Sequence, residues 1–78
     1  MNYLATFYTQ AAALLSQRAL KQAGLVSKAG PVPRELSSSC GTCVRYIADD
    51  PNLVLMDHDL ESLYEVTDGS YRQIIHRD

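Results

Sequence analysis

Seventy-eight residues, 46% hydrophobic and 21% charged, with a formal net charge of −2, describe a small chain of ordinary globular composition. A chain this short builds only a thin core, which argues against a large buried active site. Its slight negative charge gives no basic footprint for nucleic acid.

Met1 to Gln17 carries no charged side chain, but Asn2, Thr6, Thr9, Gln10, Ser16 and Gln17 interrupt the apolar run. A membrane helix needs roughly 20 mostly apolar residues, and no basic stretch precedes this one. The segment therefore reads as structural, with no membrane partner. Tyr3 to Tyr8, rich in aromatic and β-favouring residues, predicts a first strand. Thr9 is placed as the N-cap of a helix from Gln10 to Ala23, which Gly24 stops at the position after the C-cap. Ala12, Ala13, Ser16, Ala19 and Ala23, with Leu20, give that helix a small face suited to lying close on a sheet.

Leu25 to Lys28 resumes extended character, and Gly30-Pro31-Val32-Pro33 breaks it, since each proline removes a backbone donor. Thr42 to Ile47 alternates as a strand, with Thr42, Val44 and Tyr46 on one face and Cys43, Arg45 and Ile47 on the other. Asp50-Pro51 followed by Leu53, Met56, Leu60 and Leu63 at helical spacing predicts a second helix from Pro51 to Tyr64. Asp68-Gly69 is a turn, and Ser70 to Ile75 a last strand. The order βαββαβ implies an α+β, ferredoxin-like two-layer sandwich: a mixed four-stranded sheet with two helices on one face, as one domain over residues 1–78.

Chemistry concentrates in Ser37-Ser38-Ser39-Cys40-Gly41-Thr42-Cys43, which holds both cysteines. Two cysteines and two histidines match the ligand count of a structural zinc site, but seventeen residues separate His58 from His76 where a finger has three to five. Asp57-His58-Asp59-Leu60-Glu61 lacks the glycine of a calcium loop. No metal and no cofactor are expected. A thioredoxin-like dithiol couple places its first cysteine at a helix start, whereas a strand follows here. A third reading makes Cys40 a single nucleophile on a loop, with hydroxyls and backbone N–H groups from Ser39 and Gly41 and positive charge from Arg34 and Arg45. Against all of these stands simple packing, because free cysteine behaves as a small hydrophobe. By the same default the five tyrosines belong to the core, and the prolines stiffen the loop.

The segment Pro31-Val32-Pro33-Arg34-Glu35-Leu36-Ser37-Ser38-Ser39-Cys40-Gly41, with Arg45-Tyr46 after it, resembles the signature of the selenium/sulfur carrier-like family of small bacterial and archaeal domains. Thr6-Phe7, Leu20 to Leu25 and Tyr71-Arg72 agree with its flanks. Two cysteines in a small chain without an export signal are expected to be thiols in the reducing cytoplasm. The resemblance implies a carrier rather than a complete enzyme, with Cys40 bearing a persulfide or selenium adduct. It implies a donor enzyme such as a cysteine desulfurase and an acceptor protein as partners. Under it Cys43 is an optional second thiol able to attack a Cys40 persulfide, and Arg34 and Glu35 are motif residues suited to clamping the loop. A non-catalytic interaction module and a Cys40–Cys43 dithiol redox protein remain the alternatives.

Overall fold

In the computed structural model, which describes residues 1–77, the Thr9 backbone is extended (φ −131°, ψ 152°) and its hydroxyl accepts the Ala12 N–H at 3.1 Å. One of the donors that a helix start leaves open is satisfied in this way. Helix α1 runs Gln10–Gln22. It ends where Gly24 adopts φ +84°, which lets Gly24 N–H reach Lys21 O and Leu25 N–H reach Leu20 O. Those two bonds satisfy carbonyls the helix end would strand, and Leu25 closes over Leu20 in the core. Ala12, Ala13, Ser16 and Leu20 form the buried face, whose small side chains let α1 lie close over the sheet.

The sheet has five strands, β1 Asn2–Phe7, β2 Val26–Pro31, β3 Thr42–Ile47, β4 Leu60–Thr67 and β5 Ser70–His76. Their order is β2-β3-β1-β4-β5, and every neighbouring pair is antiparallel. β1 lies at the centre and is buried on both faces from Tyr3 onward, as a strand with partners on each side and cover above and below must be. Tyr3, Ala5, Phe7, Val44, Tyr46, Leu60 and Leu63 meet α1, while Leu4, Cys43 and Tyr64 point the other way under Val32, Leu36, Val66 and Tyr71. Phe7, Leu4, Leu20, Leu60 and Leu63 are wholly buried. Each such side chain contributes roughly 1.5–3 kcal/mol by leaving water.

The ferredoxin-like sandwich with four strands and two helices is overturned: the sheet is five-stranded and wholly antiparallel, and α1 is the one α-helix among the described residues. The error lies at Pro51 to Tyr64. Asp50 accepts the Asn52 N–H and receives the Asn52 amide on its own carbonyl, which holds Asn52 left-handed at φ 53°. From there the chain makes only a 3-10 turn, Leu53–Leu55, and Val54 is left 91% exposed. Asp57 then accepts the Asp59 N–H, a second local turn, before β4 begins. The spacing Leu60, Leu63 that suggested a helix comes from a bulge. Thr6 pairs Ser62 but Phe7 pairs Leu60, so Glu61 is an extra residue that returns both leucines to the α1 side. β2 also extends further than Lys28, reaching Pro31; it is an edge strand, where a proline costs no inner ladder bond.

Candidate functional site at the Cys40 loop

Between β2 and β3 the chain makes a loop whose ends are tied by Val32 N–H to Gly41 O at 3.2 Å. A turn closed by Leu36 N–H on Pro33 O puts Arg34 and Glu35 at its exposed tip. Val32 and Leu36 drop onto Leu4, Cys43 and Tyr64 and roof that end of the open sheet face. The loop then crosses the end of the sheet. Ser38 Oγ donates to Phe7 O at 3.3 Å, and Ser39 gives both its N–H and its hydroxyl to the Glu61 carboxylate at 3.1 and 3.2 Å. Glu61 reaches the loop because the bulge turns it off the regular alternation of β4.

The two cysteines belong to different packing layers. Cys40 is half-buried and touches the cluster under α1, with its thiol donating to Thr42 O at 3.4 Å. Only a protonated thiol makes that bond, so loss of the proton frees the sulfur from it. Gly41 follows at φ +74°, a conformation that costs a residue with a Cβ but not glycine. Cys43 is wholly buried among Leu4 and Tyr64 and donates to Pro31 O at 3.4 Å. Burial pushes its thiol above the ordinary value of 9.0, with Arg45 opposing and Cys40 adding to the rise.

Of the residues singled out in the sequence, Ser39, Cys40 and Gly41 come together on the loop. Arg34 stands apart at the exposed tip, and among the described residues neither it nor Glu35 forms a side-chain hydrogen bond or ion pair, so the clamp expected of them is made by Ser39 and Glu61 instead. Arg45 projects from β3 on the open face, the face of Cys43 and not of the core under α1. Nothing in the local sequence around Glu61 marks a bulge, and its partner Ser39 is 22 residues away, so the sequence alone does not reveal its role. Asp57, His58 and Asp59 bring their donor atoms within 4.8 Å, with His58 exposed and facing both carboxylates at 3.6 and 3.7 Å. Among the described residues no helix is long and apolar enough to cross a membrane.

Residues 2–56, well over half of the chain, match the family described as "Putative Se/S carrier protein-like". The chain belongs to that family. No curated protein and no solved structure matches it. The span matched to the carrier-like family takes in β1, α1, β2, the Cys40 loop, β3 and the 3-10 turn; β4 and β5, with Glu61, follow it.

Proposed function

We propose that residues 1–78 act as one cytoplasmic carrier domain that holds sulfur or selenium on Cys40 while it passes between a donor enzyme, such as a cysteine desulfurase, and an acceptor protein. The observation that carries this reading is the unequal placement of the two thiols within a chain of the selenium/sulfur carrier-like family: Cys40 at the end of an exposed loop, Cys43 with no exposed surface. Macromolecular donors must touch the sulfur atom, and a loop on the rim of a sheet offers it without a pocket.

For sulfur, the Cys40 thiolate attacks the terminal sulfur of the donor's persulfide. A new S–S bond forms on Cys40, the donor's S–S bond breaks, and the donor cysteine leaves as a thiolate. An acceptor thiolate then attacks the same terminal sulfur and Cys40 leaves. Ser39, held through its N–H and hydroxyl by Glu61, and Gly41 at φ +74° shape the loop on either side of Cys40, while Arg34 at the tip and Arg45 on the open face carry positive charge on the surface a donor or acceptor would meet. Cys43 serves as packing; a part in release requires the Val32–Leu36 roof to lift.

Incubation with a cysteine desulfurase and cysteine is expected to add one sulfur mass, removed by reductant. Cys40→Ser abolishes the adduct and Cys43→Ser retains it. Absence of any adduct, or an adduct that survives Cys40→Ser, overturns the carrier reading.

A further inference from the structure

The open face of the sheet is covered at one end only. Val32 and Leu36 of the chain's own loop sit on Leu4, Cys43 and Tyr64, whereas beyond them a groove of about 220 Å³ is lined by Asn2, Val26, Lys28, Arg45, Ile47 and Val66. Val26 and Ile47, paired across β2 and β3, are 70% and 50% exposed. Beside them Lys28 pairs directly with Arg45, so two cations stand on the same face of adjacent strands. Cβ atoms at such positions are about 4.5–5.5 Å apart, and like charges there destabilise the sheet. Among the described residues neither side chain has an ion pair or hydrogen bond to relieve the repulsion, although acidic groups exceed basic ones along the chain. A second depression, bounded by Gly30 and Pro31, opens against the same two cations.

We infer that this groove docks an acidic segment of a partner protein, with carboxylates on Lys28 and Arg45 and aliphatic side chains on Val26, Ile47 and Val66. Charge selects the occupant: a carboxylate between the two cations removes their repulsion and forms two ion pairs at once. The aliphatic floor selects a peptide over a free anion, since an inorganic ion leaves Val26 and Ile47 in water. The covered end of the face shows the mode, an irregular segment laying aliphatic side chains across the strands. β2 is the sheet edge, so a partner in extended conformation also finds unpaired backbone groups beside the groove. This docking does not depend on what Cys40 carries. Ile47 lies roughly 17 Å along β3 from Thr42, where the Cys40 loop joins, and Arg45 roughly 10 Å, so an occupant enters from the end of the strand away from Cys40.

The test uses the isotope-labelled chain, amide chemical shifts and three probes: a blocked peptide alternating glutamate and valine, its lysine–valine counterpart, and inorganic phosphate. The acidic peptide is expected to shift the amides of Val26, Lys28, Arg45 and Ile47. Lys28→Glu removes one ion pair and turns the other cation inward, so it weakens the peptide by about tenfold. The same substitution sets a glutamate against Arg45 and raises the unfolding midpoint, which shows that the variant is folded. No response to the acidic peptide at millimolar concentration, an equal response to the lysine peptide, the same shifts from phosphate alone, unchanged affinity in Lys28→Glu, or a lowered midpoint each overturns the inference.

Discussion

Glu61→Ala probes the tie that holds the Cys40 loop to the sheet. It deletes both hydrogen bonds from Ser39. A hydrogen bond contributes roughly 0.5–1.5 kcal/mol net, and both of these lie in solvent, so the lower end applies and the pair amounts to about 1 kcal/mol. That energy acts on local opening of the loop rather than on global unfolding, because the leucines on either side of Glu61 stay in the core. About 1 kcal/mol is a fivefold change in the population of the open loop. Alkylation of Cys40 at fixed pH in a Cys43→Ser background, measured by mass spectrometry against time, is expected to accelerate by about that factor. Glu61→Gln retains one acceptor oxygen and falls between the two. A Glu61→Ala rate equal to that of the parent refutes the idea that Ser39 and Glu61 restrain the loop, and a large fall in the unfolding midpoint refutes the claim that the effect is local.

Two further outcomes follow from buried and strained groups. Burial raises the Cys43 thiol above its ordinary 9.0, and burial raises the Tyr3 and Tyr46 hydroxyls above their ordinary 10.0. The folded chain holds these protons more tightly than the unfolded chain, so their contribution is complete below about pH 9 and is lost as pH rises beyond it. Thermal midpoints should be flat from neutrality to pH 9 and fall above it, with a shallower fall in Tyr46→Phe; an unchanged slope contradicts the assignment. Gly41→Ala places a Cβ at φ +74° where no atom lies within 4 Å, so only backbone strain opposes it. It should cost about 1–2 kcal/mol in denaturant titration, with Gly41→Asn costing less. Equal stability of Gly41→Ala refutes the left-handed conformation.

What the sequence disclosed divides by range. Thr9, the alanine-rich face and Gly24 specify α1 through contacts no more than five residues long, and these are the interactions that composition and spacing encode. The alternation of Thr42 to Ile47 likewise placed Cys43 opposite Val44 and Tyr46. β4 reads as helix in the sequence because the bulge at Glu61 puts Leu60 and Leu63 three apart on one face, which in a one-dimensional pattern is indistinguishable from a helix. The decision was made by β1, whose free side needed a partner, and that pairing spans more than fifty residues. The loop bearing Cys40 was visible as a proline- and serine-rich break, but its anchor was not, since Glu61 owes its position to the same bulge.

The segment by which the family is recognised stops short of finishing the fold. Cut after residue 56, the sheet would read β2-β3-β1, leaving its most buried strand as a bare edge and stripping Leu60 and Leu63 from the core. An apolar strand with an unpaired ladder invites pairing with another chain. In this chain β4 is what lies against β1, and the same strand carries Glu61, which holds the loop that presents Cys40. One strand thus both closes the sheet and sets the restraint on the cysteine loop, so a change in β4 reaches Cys40 without altering the motif.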